Sequence, residues 1–513
     1  MAERWDAVVL GAGVAGLVAA HDLARDGVRV LVLDAADRPG GTVAGASVGI
    51  GGGRTVAVDV GAESFATRTP AVGDLARELG LAVVEPDPRG AWAYAGAGTE
   101  DDPARARPLP RTATLGIPTT PWAADVRRVL GLGGALRAWW DLGMARTPVP
   151  DSLAAWVTQR LGPTALERLV APVAGGIHSA DPATLDPRAV APQLVAAYEK
   201  TGSLLRAASM LADAPGRGNT KPGSAVAGID GGMHRLVASL ADAVRSAGGE
   251  VRLGVRVVGL ERHHHDGGLW HVSGSASDGA RATAAEAQRV VVALPRTPAI
   301  ALVTPLLPPD LSEAGEGRAS GASDNPGDGG DVSEPGESRG SPGSDRSEKG
   351  GSDVRLITLV LRAPALDDAP RGTGVLVAPG ADVRAKGLTH ASAKWPWLRA
   401  LLPDGVHVVR LSYGRAGDPE PTLPPTVEEA VADASRLLGV PLDPSQVLDH
   451  LDTHWPDALA PARPADRSLA DDAAHRLPGL TVVGSWVAGT GLAAVVGQAR
   501  DAVTALAPQS TAD

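Results

Sequence analysis

The 513-residue chain contains no cysteine, which excludes disulfides, thiolate metal sites and a cysteine-linked cofactor. Aromatic side chains are also scarce. One Phe and three Tyr stand beside 11 Trp, so a site built from stacked rings has few residues to draw on. No apolar run reaches the roughly 18 residues of a membrane span. A strand pattern starts almost at the first residue and leaves no room for a signal peptide, so we expect a cytoplasmic protein.

Basic residues are fewer than acidic ones, 48 Lys and Arg against 59 Asp and Glu, and the net charge is −11. A chain with this balance is a poor general ligand for nucleic acids, and we expect no nucleic-acid partner. The length suffices for two or three domains with substantial cores. His263, His264 and His265 precede an Asp-Gly-Gly turn. We interpret this triplet as a solvated hairpin tip and expect no metal site.

The chain is organised around its first segment, WDAVVLGAGVAGLVAAHDLARDGVRVLVLDAADRPGG. The apolar run 8–10 predicts a buried parallel strand, and residues 15–26 predict the helix after it. Gly11, Gly13 and Gly16 lie between them at GxGxxG spacing. The first glycine permits the tight turn, the second lets backbone approach a pyrophosphate, and the third lets the helix pack on the strand. The sequence therefore predicts a dinucleotide site at the helix N-terminus.

A carboxylate after the second strand and the Gly-Gly pair that follows it indicate which dinucleotide binds. Residues 29–33 predict a second strand that ends at Asp34, where a ribose needs an acceptor. Arg38 and Gly41 follow in an R-x-G-G pattern similar to that of two-dinucleotide-binding flavoproteins. Near the other end, a strand at 481–483 precedes a helix at 490–506. The N-terminus of that helix suits the flavin pyrimidine end, which becomes negative on reduction, so we expect FAD rather than NAD.

The remaining segments predict an α/β (α+β multi-domain) protein with a Rossmann-like FAD-binding domain, an antiparallel-sheet substrate domain and a helical insertion. The low-complexity segment 312–353 has almost nothing apolar, and we expect it to be disordered. The FAD-binding domain is expected to consist of three separate segments, 1–90, 206–300 and 451–513. The helical domain is expected at 91–205, and the substrate-binding domain, with the 312–353 insertion, at 301–450.

Several residues outside the nucleotide motif are candidates for substrate contact, each with a structural alternative. Arg68 follows the loop at 61–64 but is equally explained as a solvated side chain. His178 follows two glycines in a turn-rich stretch, although a structural histidine is the simpler interpretation. Lys394 could present a cation or anchor a surface turn. Phe65 is expected in the core, and the tryptophans of the helical region mark either helix packing or a membrane-facing surface.

Eight motifs, taken together and in order, resemble those of the oxygen-dependent protoporphyrinogen and coproporphyrinogen III oxidases of haem synthesis. They are VVLGAGVAGL, GAESF, GGIHSADPATLDPRAV, GGMHRLVASLA, SAKWP, RLSYGR, THWPDALA and GSWVAGTGL. Ala91–Trp92 replaces the Arg–aromatic pair of many protoporphyrinogen oxidases and resembles the coproporphyrinogen branch. Ala460–Pro461–Ala462 replaces the family's Pro-Gln-Tyr.

The resemblance implies noncovalent FAD, a porphyrinogen substrate and O2, with release of H2O2. It also implies peripheral membrane contact and a ferrochelatase-type downstream partner. It also implies a substrate contact at Gly176, in addition to the candidates Arg68, His178 and Lys394. The implied cofactor residues are Gly11, Ala12, Gly13, Val14, Ala15, Gly16, Asp34, Ala35, Arg38, Gly41, Thr42, Gly61, Ala62, Glu63, Ser64, Val257, Thr490, Gly491 and Leu492.

The expected activity is oxidation of coproporphyrinogen III to coproporphyrin III, with protoporphyrinogen IX as the alternative substrate. A flavin amine oxidase and a non-enzymatic FAD-binding protein are more distant alternatives. No Ser–His–Asp or paired-carboxylate constellation identifies a catalytic acid or base. The implied mechanism needs mainly orientation, a dry pocket and cations for the substrate carboxylates.

Overall fold

The computed structural model describes residues 3–96, 98–100, 104–110, 115–213, 226–263, 268–276, 281–307, 352–415, 424–459, 463–489 and 491–506. Its strands are β1 (Glu3–Leu10), β2 (Val30–Leu33), β3 (Gly45–Gly49), β4 (Thr55–Asp59), β5 (Phe65–Ala66), β6 (Val83–Val84), β7 (Trp92–Ala95), β8 (Arg105–Pro108), β9 (Val226–Ile229), β10 (Glu250–Arg252), β11 (Val255–His263), β12 (Leu269–Ala276), β13 (Arg281–Val292), β14 (Ser352–Arg362), β15 (Gly374–Val377), β16 (Gly387–His390), β17 (Val406–Tyr413), β18 (Val447–Leu459) and β19 (Leu480–Val482).

The α-helices connect and cover these strands. They are α1 (Val14–Arg25), α2 (Ala71–Glu78), α3 (Ala124–Trp139), α4 (Leu153–Leu161), α5 (Pro163–Ala165), α6 (Ala171–His178), α7 (Pro187–Val190), α8 (Pro192–Thr201), α9 (Leu204–Ala212), α10 (His234–Ser246), α11 (Arg296–Val303), α12 (Ala391–Lys394), α13 (Pro396–Leu401), α14 (Val427–Leu438), α15 (Pro464–Arg476), α16 (Ser485–Ala488) and α17 (Leu492–Leu506). Within the described ranges, no helix has the length and apolar composition needed to cross a bilayer.

A seven-stranded sheet joins the two ends of the chain. Its order is β10-β2-β1-β13-β12-β11, and β19 also pairs with β13. The pairs β1–β2, β1–β13 and β13–β19 are parallel, so the N-terminal and C-terminal strands end at the same edge. Apolar side chains of α1, α10 and α17 cover one face in a single core. This arrangement confirms the expected nucleotide-binding architecture.

A second seven-stranded sheet has the order β18-β14-β17-β16-β15-β7-β8. Its central pairs, from β14 to β15, are antiparallel, as the strand patterns predict. Helix α14 covers one face, where its apolar residues join those of the strands in one core. Helix α14 begins with a capping box between Thr426 and Glu429, and it ends at Gly439 in the left-handed conformation.

Helices α3 to α9 form a separate core around the buried side chains of Trp156 and Tyr198. Its extent differs from the expected division at 91–205. Strands β7 and β8 belong to the second sheet. Trp92 and Tyr94 alternate with alanine at the strand period, which explains why this segment forms a strand and not a helix. The helical region continues through α9 to Ala212, and β18 extends the second sheet to Leu459, past the boundary expected at 451.

Local differences from the sequence patterns have identifiable causes. Strands β10 and β11 are separate, because Gly254 adopts a positive φ of 71° between them. Gly175 and Gly176, expected in a turn, lie within α6, which begins with a proline in its first turn. Strand β14 starts at Ser352, inside the segment expected to be disordered. The rest of that segment, with His264 and His265 of the triplet, lies outside the described residues.

Candidate functional site

The first βα turn is shaped by close backbone packing on one side and open space on the other. Gly11 has a φ of 106°, and a Cβ there would lie 2.5 Å from the carbonyl oxygen of Ala293. A Cβ on Gly16 would lie 1.9 Å from the Gly11 oxygen, so α1 packs tightly on the turn. A Cβ on Gly13 would meet no described atom within 4 Å. The first amides of α1, which no described side chain caps, face this open space.

Asp34 follows β2 beside this turn. Its carboxylate accepts hydrogen bonds from the amides of Ala12 (2.6 Å) and Ala36 (2.8 Å). A carboxylate has about four acceptor positions, so it retains capacity for a ribose hydroxyl. The amide of Val255, at the start of β11, donates to the Asp34 carbonyl oxygen at 2.8 Å. This bond brings β11, which contains Val257, to the same end of the sheet.

The R-x-G-G segment and the loop at 61–64 are tied to the turn by backbone bonds. The amide of Gly40 donates to the Ala12 oxygen at 2.7 Å, and the amide of Ala62 donates to the Thr42 oxygen at 3.0 Å. The Arg38 guanidinium donates to the Gly41 oxygen and lies over the Trp455 ring. The structure therefore brings together the cofactor segments that the sequence places at 11–16, 34–42 and 61–64.

The C-terminal helix lies in the same core. Apolar residues of α17 pack with those of α1 and with Phe65, which is buried as expected. Arg500 of α17 pairs with Asp22 of α1 and Glu78 of α2. A Cβ on Gly491, just before α17, would meet no described atom within 4 Å. Thr490 lies outside the described residues.

Glu63 is the centre of a buried ion cluster between this domain and the second sheet. Its Oε1 accepts from the Lys394 ammonium at 2.5 Å and from the Thr389 hydroxyl at 3.3 Å. Its Oε2 lies 2.9 Å from the Arg410 guanidinium. Arg410 also donates to the carbonyl oxygens of Asp59 and Gly61. We name Glu63, Thr389, Lys394 and Arg410 the Glu63 cluster.

The charges of the cluster decide the ionisation of Glu63. Burial alone would raise the pKa of this carboxyl, but Arg410 and Lys394 outweigh burial and lower the pKa to about 2. The side chains of Glu63 and Arg410 are each 11% exposed and that of Lys394 is 15% exposed. Glu63 is therefore an anion at every physiological pH. Its negative charge offsets part of the positive charge of Lys394 and Arg410.

A small cavity lies beside the cluster. Its volume is about 10 Å³, and its walls include Glu63, Arg410, Thr358 and Trp395. Thr358 Oγ1 and Trp395 Nε1 are buried, and neither has a hydrogen-bond partner within the described portion of the chain. The volume and the polar walls suit one buried water molecule.

One face of the second sheet remains partly open next to the cluster. Paired residues of antiparallel strands point to the same side, so Leu376, Gly387 and Ser412 share a face with Thr389 and Arg410. All five are partly exposed, whereas the opposite face is buried under α14. Helix α6 borders this face. We call the face carrying these five residues the open sheet face.

The expected substrate residues occupy different positions around the open sheet face. Gly176 of α6 lies against it, since a Cβ there would come within 2.9 Å of Leu376 Cδ2. His178 ends α6. Its Nε2 is buried without a hydrogen-bond partner among the described residues, and burial lowers its pKa. Lys394 is bound to Glu63, while Arg68 is exposed between β5 and α2. The structure thus joins Lys394 to the cofactor loop but shows no contact linking it to Arg68 among the described residues.

Arg410 and Thr389 were missed as site residues by the sequence reasoning. Arg410 interrupts the apolar run of β17, in the motif RLSYGR. A charge inside a buried strand requires a counter-ion, and this could have marked Arg410 as belonging to a site. Thr389 carries no comparable signal in the sequence.

The turn and its neighbours fit a dinucleotide. The open space at Gly13 and Gly491 faces two helix N-termini, and Asp34 lies at the end of β2, the strand that pairs with β1. The family model of the flavin-containing amine oxidoreductases matches residues 14–325, more than half of the chain. The chain belongs to this family. A flavin is therefore its cofactor, and the amine-oxidase-type α/β fold expected from the sequence is confirmed.

Two curated relatives cover nearly the whole of this flavoprotein. A coproporphyrinogen III oxidase from Mycobacterium leprae (strain TN) is 28% identical over 524 residues, covering 97% of each chain. Another from Mycobacterium tuberculosis (strain ATCC 25618 / H37Rv) is 27% identical over 517 residues, covering 97% of this chain and 96% of its own.

A solved structure has the same fold. A putative protoporphyrinogen oxidase from Exiguobacterium sp. 255-15 superposes with a TM-score of 0.71 at 20% identity, covering 99% of each chain. The resemblance that the eight motifs indicate is confirmed by the two relatives named coproporphyrinogen III oxidase, and the solved structure shows the same fold.

Proposed function

We propose that this flavoprotein oxidises coproporphyrinogen III to coproporphyrin III, with O2 as electron acceptor and H2O2 as product, in haem synthesis. The observation that carries the proposal is the match to relatives named coproporphyrinogen III oxidase along the full chain. The open sheet face supports it, since a partly exposed surface beside the cofactor loop offers one wall for a flat macrocycle.

The cofactor in this proposal is FAD, held without a covalent bond. Asp34 would bind the adenosine ribose, the amides at the start of α1 the pyrophosphate, and the start of α17 the pyrimidine end of the flavin. The absence of cysteine removes the thioether link to the protein. When bound, the flavin supplies the hydride acceptor and returns the electrons to O2.

The protein contributes orientation and exclusion of water. The open sheet face would hold one side of the macrocycle, and α6 with Gly176 would border it, with His178 at the end of that helix. The propionates require cations. Lys394 supplies one at the edge of the face, and Arg68 is the second candidate from an exposed position.

A comparison of substrates tests the proposal. The FAD-loaded protein is mixed anaerobically with coproporphyrinogen III, protoporphyrinogen IX or a primary amine, and bleaching of the flavin is followed. O2 is then admitted, and its uptake and H2O2 formation are measured. We expect fastest bleaching with coproporphyrinogen III. Faster reaction with protoporphyrinogen IX would favour the alternative substrate, which the name of the Exiguobacterium structure supports. Bleaching by the amine alone would overturn the proposal.

We also propose peripheral contact with a membrane through one surface of the helical region. Leu132, Leu136, Trp139 and Trp140 are exposed at helical spacing along α3 and the turn after it, and Trp122 is exposed just before the helix. Leu132 is 70% exposed and Trp140 is 60% exposed. Large side chains rarely form such a surface without a partner.

Vesicle flotation tests this contact. The protein is mixed with vesicles containing anionic lipid, and a variant with Trp139→Ser and Trp140→Ser is compared with Val258→Ser, which removes an exposed apolar residue from β11. We expect flotation of the wild type and of Val258→Ser and loss of flotation in the double variant. Absence of flotation together with concentration-dependent dimers that the double variant abolishes would assign the surface to a second copy instead.

A cytoplasmic location and a ferrochelatase-type partner belong to the same proposal. A free porphyrin is the ordinary substrate of a metal-inserting enzyme, so the product would be consumed by that class of reaction.

A further inference from the structure

The Glu63 cluster connects three regions of the molecule that the proposed reaction requires. Glu63 lies on the cofactor loop, Lys394 ends α12, and Thr389 and Arg410 lie on neighbouring strands of the open sheet face. Within the described part of the chain, the Glu63 cluster is therefore an ion network that joins the cofactor loop to the open sheet face.

The network continues into the nucleotide domain. Arg410 donates to the carbonyl oxygen of Asp59, and the carboxylate of Asp59 accepts from the amides of Met233 (2.8 Å) and His234 (3.0 Å). These two amides lie at the N-terminus of α10, where an anion is stabilised. A continuous chain of hydrogen bonds and one ion pair therefore runs from α10 through Asp59 and Arg410 to Glu63.

Lys394 is fixed from several sides. Its ammonium donates to Glu63 and lies 5.0 Å from the centre of the Trp395 ring, while its carbonyl oxygen accepts from the amide of Asp87 at 2.9 Å. An ammonium has three N–H groups, and Glu63 accepts one, so two remain for a ligand. Without the carboxylate, a flexible lysine stem would lose its main directional contact.

We propose that Glu63 is a positioning residue, whose carboxylate holds the Lys394 ammonium at the edge of the open sheet face and locks the cofactor loop to that sheet through Arg410. The proposal rests on the proposed function for its kinetic consequences, but its structural component applies to any substrate. The ionisation state agrees with it, since burial disfavours the anion while Arg410 and Lys394 lower the pKa of Glu63 to about 2.

Two substitutions separate charge from shape. Glu63→Gln keeps the size of the side chain and removes its charge, and Glu63→Asp keeps the charge. Because Lys394 is the proposed partner of a substrate propionate, a poorly oriented ammonium weakens substrate binding, so we expect Glu63→Gln to raise KM about 10- to 100-fold with a smaller change in kcat. Glu63→Asp should reverse most of this increase. Asp452→Asn, which breaks an exposed pair with Arg355 elsewhere in the same sheet, is the matched control and should resemble wild type.

A double-variant cycle shows whether Glu63 acts through Lys394. We expect Lys394→Met to raise KM at least as much as Glu63→Gln, and the combination of both to raise KM no further than Lys394→Met alone. Independent, multiplicative increases in KM would show that Glu63 does not act through the lysine and would overturn the proposal.

A measurement without substrate keeps this inference separate from the choice of porphyrinogen. The visible spectrum of the bound FAD is recorded against pH, together with the dissociation constant of FAD. We expect Glu63→Gln to introduce a pH-dependent change in the FAD spectrum. Glu63→Asp should lack this change, and adding Lys394→Met to Glu63→Gln should remove it.

Identical titrations in all variants would overturn the proposal even if the wild type oxidises coproporphyrinogen. If no porphyrinogen reacts, the proposed function fails, and these spectra still decide the role of Glu63. Should Glu63→Gln fail to fold, Glu63→Asp and Lys394→Met complete the comparison.

Discussion

The three glycines of the GxGxxG motif have different surroundings in the fold. Gly16 lies where a Cβ would overlap the oxygen of Gly11, so its small size is required by packing. Gly13 lies where a Cβ would enter empty space in front of α1. The spacing of the motif predicted a site here, and the structure shows that packing requires Gly16 whereas Gly13 borders open space.

Alanine at Gly13 and at Gly16 should therefore have different effects. We expect Gly16→Ala to lower the free energy of unfolding by about 1–3 kcal/mol, because α1 must move away from the turn. Gly13→Ala should leave the unfolding of the apoprotein nearly unchanged and weaken FAD binding about tenfold or more. Denaturant unfolding and flavin fluorescence measure the two effects. Equal losses of stability in both variants would contradict this assignment.

At the scale of elements, the helical region is held together by a buried ion pair. Arg160 of α4 and Asp141 are both fully buried, and Arg160 Nε donates to Asp141 Oδ1 at 2.5 Å. Arg160 also donates to the carbonyl oxygens of Ala145 and Gly202, while Asp141 accepts from Ser203 and the amide of Leu205. The pair joins α4, the turn after α3 and the start of α9, which are distant in the sequence.

Removing one partner of this pair leaves a buried charge without compensation. We expect Arg160→Met to destabilise the protein by about 3–5 kcal/mol and Asp141→Asn to act in the same direction. The exposed pair of Asp151 and Arg188 provides a control, since Asp151→Ala should cost about 1 kcal/mol or less. Urea unfolding followed by tryptophan fluorescence measures these values. A cost for Arg160→Met as small as that for the control would show that the buried pair is dispensable.

Across the whole molecule, buried ionisable groups make the fold sensitive to acid. His390 is fully buried beside His407, which in turn contacts Asp367. Burial, with His407 and nearby arginines, lowers the pKa of His390 from 6.5 to about 3, and burial also lowers the pKa of His407. The unfolded chain binds these protons at higher pH than the native chain does, so stability falls as the pH drops from about 6.5 towards 3. Glu63 adds a second loss, between about 4.5 and 2.

The histidine contribution should be visible in urea unfolding at pH 7 and pH 5. Each unit of pH below 6.5 should cost about 1.4 kcal/mol from His390 alone. We expect His390→Gln to be less stable than wild type at pH 7 but to lose less stability between the two pH values. His475→Gln, at an exposed position on α15, should keep the wild-type dependence. The same pH dependence in His390→Gln and wild type would exclude this role of His390.

Elements that depend on local chemistry follow from the order of the amino acids alone. Periodicity and glycine spacing were sufficient for β1 and α1, because neighbouring residues decide turns, caps and amphipathic faces. The pairing of β7 with β15 and the contact of Glu63 with Lys394, 331 positions away, arise only when the chain folds. No local pattern contains such pairings, since they depend on which distant surfaces the folded chain brings within hydrogen-bonding distance and shields from water.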